Sequence, residues 1–166
     1  MANQNDQLTK VEAGKGEYVS VVGDTYRIVI GGEQTGGQYA VIDMIVPQNG
    51  GPGPHAHAEI QESFYVLDGE IEVKTEAGAY VAKKGTFINI PLGGMVHCFK
   101  NKAATPAHLW CMVMPAGMEK MFVEIGRPVE AGTFLPPPEM TPELAGKFKS
   151  IAEKYGQKLY PPDYLG

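Results

Sequence analysis

Between residues 18 and 114 apolar and polar positions follow one another in short runs, each bounded by Gly, Asn, Asp or Pro. The runs are Tyr18 to Val22, Thr25 to Ile30, Gln38 to Val46, Ser63 to Leu67, Glu70 to Thr75, Tyr80 to Ala82, Phe87 to Ile90, Val96 to Phe99 and His108 to Met114. Residues two apart on a strand share a face, so these runs predict β-strands, and such frequent turns predict a sandwich or barrel. In the third run Asp43 marks one face as wet, which sends Ala40, Ile42, Met44 and Val46 inward. Asp68-Gly69, set between two strand-like runs, is a strong two-residue hairpin signal.

The period then changes. Met118, Met121, Phe122 and Ile125 are spaced i, i+3, i+4, i+7 and Gly126 follows, which predicts a short amphipathic helix with a glycine stop. Phe134 to Glu139 holds three consecutive prolines and reads as a stiff connector. Thr141 as N-cap and Pro142 at the first helical position open a second helix. Its stripe is Leu144, Phe148, Ile151, Ala152 and Tyr155, and Gly156 ends it. The chain therefore divides into an N-terminal arm (1–16), a β-barrel (17–116) and a C-terminal helical extension with a proline-rich connector (117–166). The aromatic tail Tyr160 to Tyr164 is placed to cover a pocket mouth or to meet a second subunit.

Composition narrows the classes of function. At 166 residues one domain can bury about 70% of its unfolded surface, enough for a core without staples. Two cysteines, Cys98 and Cys111, make no disulfide framework, and the start Met1 to Gln7 is polar, so a cytoplasmic protein is expected. No apolar run approaches the ~20 residues that span a bilayer. A net charge of -5 without a basic stripe argues against nucleic acid as a partner. About twenty residues before the first strand are too few for a helix-turn-helix module.

The chemistry concentrates in His55-Ala56-His57-Ala58-Glu59-Ile60-Gln61-Glu62 and in His97. His55 and His57, two apart, can aim both imidazoles at one point. Strand parity offers Glu59 as their carboxylate partner. Glu62, five positions after His57, reaches that face only if a turn or bulge intervenes.

With Gly50, the spacing of His55, His57, Glu62 and Gly69 resembles the first motif of the cupin family. Gly85-Thr86-Phe87-Ile88-Asn89-Ile90-Pro91, followed by a glycine and by His97-Cys98-Phe99-Lys100-Asn101, resembles the second. Gly50 stands one residue closer to His55 than the family pattern, and one extra residue separates Pro91 from His97, so that Gly94 keeps the spacing. The resemblance covers roughly residues 17 to 126 and implies an all-β fold, a cupin-type double-stranded β-helix (jelly-roll) barrel with C-terminal helices. It implies that His55, His57, Glu62 and His97 hold one divalent transition metal ion. Three imidazoles and a carboxylate suit Fe, Mn, Co, Ni, Cu or Zn and leave positions open for substrate.

Glu62 is preferred over Glu59 because a turn at Ala58 to Gln61 costs little. Without it, the Glu62 carboxylate would head an inward apolar strand with no partner. Met44, Phe64, Met95 and Phe99 are expected to line a substrate pocket. His108, Cys98 and Cys111 fall outside the ligand set and are expected to carry no chemistry, while Trp110 reads as core or an interface anchor.

Within the family, the HxH motif, the helix after the last strand and the proline-rich connector look most like the quercetin 2,3-dioxygenase-like group. The implied function is metal-dependent dioxygenation of an enolic or flavonol-like small molecule, with Glu62 as ligand and general base. The alternatives are a metal-dependent isomerase or lyase, or a non-enzymatic binding protein. Sheet edges need cover, so a homodimer is expected, formed through the early strands carrying Val22, Tyr26 and Ile28. Light scattering at micromolar concentration checks it, and a monomer mass would refute it.

Overall fold

The computed structural model describes residues 8–166; the polar start Met1 to Gln7, and with it part of the expected arm, lies outside the described residues. The strands are β1 (Glu17–Val21), β2 (Asp24–Ile30), β3 (Ala40–Val46), β4 (His55–Ala56), β5 (Gln61–Asp68), β6 (Glu70–Thr75), β7 (Gly78–Lys83), β8 (Phe87–Ile90), β9 (His97–Lys100), β10 (Ala107–Met114), β11 (Arg127–Pro128) and β12 (Lys158–Leu159). The helices are α1 (Gly32–Thr35), α2 (Met118–Ile125) and α3 (Pro142–Lys154). One sheet runs β11-β1-β2-β3-β10-β5-β8 and the other β12-β4-β9-β6-β7, with every pairing antiparallel.

Alternation sets the core. Ala40, Ile42, Met44 and Val46 are buried as expected, and on β10 Ala107, Leu109, Cys111 and Val113 are fully buried. Fully burying a side chain of the Val, Leu or Met class contributes roughly 1.5–3 kcal/mol, so these two central strands carry much of the folding free energy. Asp43 does face outward but is not simply wet. Its carboxylate pairs with Arg27 Nη2 at 2.6 Å and His108 Nε2 at 2.5 Å, half-covered in the sheet face.

The helical spacings form helices. Met118, Met121 and Phe122 turn inward, with Phe122 edge-on to Tyr26 at 5.1 Å between ring centroids. Thr141 caps α3 by accepting the Leu144 N–H at 3.2 Å, and Ile151 and Ala152 are the buried part of its stripe. The connector lies on the β1–β2 hairpin, where Thr25 Oγ1 donates to Thr133 O at 2.6 Å. No described helix is long and apolar enough to cross a membrane.

Two expectations need correction. Asp68-Gly69 closes no hairpin: β5 belongs to the larger sheet and β6 to the smaller, so this corner carries the chain from one sheet to the other. Gly69 has φ +73°, and a Cβ there would come within 3.0 Å of Ala107 Cα and Pro106 O. Tyr26 is not at the surface but 4% exposed, its hydroxyl donating to Asp24 Oδ2 at 3.0 Å. The early strands are not the sheet edge either, since the two-residue β11 pairs with β1; the larger sheet ends on β11 and β8 and the smaller on β12 and β7. The outward apolar side chains cluster on β5 and β8, where Tyr65 and Phe87 lie opposite one another, 42% and 63% exposed, with the half-buried Trp110 beside Tyr65 on β10.

Gly69→Ala forces a side chain into the left-handed region against backbone. It should lower stability by about 1–3 kcal/mol, read as a drop in the urea midpoint at unchanged m-value.

Candidate metal centre

β4 brings in the first histidine, with His55 opposite His97 of β9 on one side and Leu159 of β12 on the other. The chain leaves the strand at His57, bends at Ala58 and Glu59, and re-enters strand at Gln61. That bend resets the parity: Glu62 turns inward at 3% exposure, whereas Glu59 is exposed. It is fixed from the other motif, because Gly93 N–H donates to Ala58 O at 2.9 Å. Gly93 does so from the Leu92-Gly93-Gly94 turn ahead of His97 and needs its φ of +109°. The extra residue before His97 is thus used in holding the turn that redirects Glu62.

His55, His57, Glu62 and His97 form the one cluster of potential metal ligands found among the described residues, with donor atoms all within 4.8 Å of one another. All four are buried. Each imidazole is aimed by a nearby carbonyl. His55 Nδ1 bonds Gly53 O at 2.9 Å, His57 Nδ1 bonds Ile60 O at 2.7 Å and His97 Nδ1 bonds Met95 O at 2.9 Å. Committing Nδ1 as the donor leaves Nε2 of the neutral ring as a lone pair for the centre, which is the arrangement a metal-binding histidine requires. His57 Nε2 and His97 Nε2 stand 3.2 and 3.3 Å from Glu62 Oε2. Three nitrogens and a carboxylate converging in a dry site fit a divalent transition metal ion, and the donor set does not select among Fe, Mn, Co, Ni, Cu and Zn.

Electrostatics point the same way. Burial by itself would push the Glu62 carboxyl up, but the His57 and His97 imidazoles in contact with it hold it below the usual carboxylate range. Burial and the neighbouring His97 push His55 down to about 4, so it is neutral and ready to coordinate. For His57 burial acts downward, yet the bond to Glu62 and its charge outweigh this and raise the imidazole above 6.5. The Glu62 carboxylate thus favours the cationic form of His57, as it would favour a cation held between them.

Sequence reasoning missed two contributors. Cys111 Sγ lies 3.5 Å from Glu62 Oε1, and burial with the Glu62 charge pushes the thiol far above its ordinary value, so it remains an S–H donor. The available signal was parity, since Cys111 alternates with Leu109 and Val113. Asp24 is the other: buried and pushed up to about 7, it accepts Gly51 N–H at 3.2 Å and so anchors the loop leading to His55. Cys98 lies on the far face of β9, as its position next to His97 requires. Of the expected pocket walls, Met44, Phe64 and Phe99 are buried, with the Phe64 and Phe99 rings edge-to-face at 5.3 Å. Met95 is a correction: it precedes β9 in the turn, where strand parity has no force, and it is 42% exposed.

Residues 42–114 match the family model described as Cupin domain. A quercetin 2,3-dioxygenase of Bacillus subtilis (strain 168) is 27% identical over 127 residues, 75% of this chain, and the chain spans 36% of that relative's length. Among solved structures, a predicted oxalate decarboxylase of Thermotoga maritima superposes with a TM-score of 0.59 at 16% identity, over 64% of this chain and 99% of that one. A sugar phosphate isomerase from a cupin superfamily of Silicibacter pomeroyi gives 0.55 at 18% identity, over 64% and 75%. At these identities the two structures speak for the jelly-roll fold alone.

The His55 shift sets a pH test on chelator-treated protein. Unfolded His55 takes its proton near 6.5 and folded His55 not until about 4, so its contribution is present above 6.5 and is lost as pH falls through that window. Asp24, raised from 3.8 to about 7, works in the opposite direction over nearly the same range. The His55 part is therefore isolated by comparison with His55→Gln. The difference in unfolding free energy between the two proteins should shrink by up to about 3 kcal/mol between pH 7 and pH 4. A difference independent of pH would contradict the neutral, desolvated state of His55.

Proposed function

We propose that this chain, whose residues 42–114 match the Cupin domain family model, is a metal-dependent dioxygenase acting on an enolic or flavonol-like small molecule. The observation that carries this reading is the convergence of the buried His55, His57, His97 and Glu62 on one point. The likeness to a quercetin 2,3-dioxygenase over 75% of the chain supports the choice of reaction.

A divalent ion held by the four side chains would supply Lewis acidity, lowering the pKa of a substrate hydroxyl. The chain's own part is to place and receive the proton. Glu62 would accept it from the enol or phenol, its carboxylate kept ionised beforehand by the cation it helps to hold. A nearby cation weakens a carboxylate as a base, and the dry surroundings oppose that weakening. Cys111 holds Oε1, which fixes the plane of the carboxylate. Met44, Phe64 and Phe99 are buried in the apolar core, and in this reading Phe64 and Phe99, two residues along from Glu62 and His97, bound the space a flat ring enters.

A second reading is favoured by how enclosed the donors are: none of the four exceeds 5% exposure, and of the expected walls Met44, Phe64 and Phe99 are part of the continuous core. Tight quarters suit a small polar substrate, on which the same ion serves an isomerase or lyase without redox change. Oxygen consumption separates the two readings, and tight binding of an enolic compound without turnover would instead mark a binding protein.

The test compares Glu62→Gln with Glu59→Gln after reconstitution with each candidate ion. Glu62→Gln keeps shape and one oxygen donor, so it should retain part of the metal and lose about 100-fold or more in oxygen uptake with an enolic substrate. Glu59→Gln should match wild type in both. Equal turnover in Glu62→Gln and wild type would end the base assignment, and loss of metal in Glu59→Gln alone would overturn the ligand set.

A further inference from the structure

We propose that β12 is a positioning element of the metal centre, adding to β4 as a strand and so setting His55, with the consequence that ion affinity depends on docking of the α3–β12 segment. The inference rests on the metal-binding reading above.

The four ligands are not equally supported. Glu62 sits in β5 between β8 and β10. His97 begins β9, which is paired along its length with β6. His57 is held by Ile60 O and by the bend locked to Gly93. His55 has no comparable frame. Its strand is two residues long and meets β9 only where His55 faces His97. Its ring is oriented by Gly53 O, two residues upstream on the same loop, so the ring goes where the loop goes.

What fixes that backbone from the other side is β12. Lys158 pairs with Ala56 and Leu159 with His55, and Tyr160 N–H donates to Pro54 O at 2.9 Å. The segment is itself held by modest means. Gln157 N–H returns to Ala152 O at 2.9 Å, and α3 buries only Ile151 and Ala152. Lys154 Nζ and Tyr155 Oη both reach Glu124 Oε2 of α2 at 2.7 Å, at exposed positions. Farther on, Tyr164 Oη donates to Glu76 Oε1 at 2.9 Å and Lys74 Nζ to Gly166 O. A cavity of about 290 Å³ separates Pro162 and Leu165 from the Gly51 to Pro54 loop, so the tail is not fused into the core. Exposed ion pairs and a shallow apolar stripe make a unit that can open by itself while the barrel stays folded.

Outer groups that orient a metal ligand typically govern 10–100-fold in affinity. Coupling is also reciprocal: if β12 supports the ion, the ion must protect β12. The test uses the full chain and Co(II), read by its absorption bands and by competition with a chromophoric chelator. Tyr160→Pro removes the N–H that reaches Pro54 and should weaken Co(II) binding about 10-fold or more. Tyr164→Phe, which loses only the bond to Glu76, should bind as wild type. In the unmutated chain, Co(II) should slow amide exchange at Lys158 to Tyr160 as well as at β4, a measurement that needs no variant to fold. Wild-type affinity in Tyr160→Pro, or exchange at β12 unaffected by Co(II), would overturn the proposal and leave the metal site standing. A wild-type chain that takes up no Co(II) would overturn the metal reading itself.

Discussion

A carboxylate taken out of water among apolar strands is the constraint around which this molecule is arranged. Glu62 is 3% exposed, and an isolated buried anion would cost far more than one fold can spare. The structure answers by delivering cationic or cation-holding groups to it from three directions, and each imidazole must be turned so that Nε2 faces inward. That turning is done by carbonyls of Gly53, Ile60 and Met95, each two or three residues from its histidine. Loops that look irregular, such as Ala58 to Ile60 and Leu92 to Val96, are irregular because they must supply those acceptors where a regular strand would point them sideways.

The same constraint ties the two sheets together. Glu62 and Cys111 come from the seven-stranded sheet, His55 and His97 from the five-stranded one, and His57 from the chain between them. The cluster therefore assembles only when the sheets close on each other. Anything that binds the closed cluster and not the open chain stabilises the sandwich by mass action, so an ion held here is also a staple between the sheets.

Much of this was legible in the residues. Period-two alternation placed nine strands and the inward set Ala40, Ile42, Met44 and Val46, because both faces of those strands differ sharply in polarity. The four residues that cluster were legible through spacing, and the choice of Glu62 over Glu59 followed from refusing to bury an unpartnered carboxylate. What was not legible has a common cause: it depends on pairings between distant segments. β4, β11 and β12 are two residues each, too short for any period to register. Asp68-Gly69 has the chemistry of a tight turn in either setting, and only the partners of β5 and β6 tell a hairpin from a corner. Met95 was misplaced because alternation was carried past the end of a strand, and Tyr26 because the early strands were expected to meet a second subunit, whereas Asp24 receives its hydroxyl inside.

Cys111 shows how a residue without chemistry of its own enters a site. Its thiol is held protonated by burial and by the very carboxylate it faces, so it acts toward Glu62 as a weak fixed dipole rather than as a nucleophile or ligand. A serine in its place would donate a stronger hydrogen bond and lower the basicity of Glu62, while alanine would leave Oε1 buried with no donor. The soft, weakly donating thiol lies between these. It restrains the carboxylate without stabilising its charge enough to blunt it, which suits a group expected both to hold a cation and to take a proton.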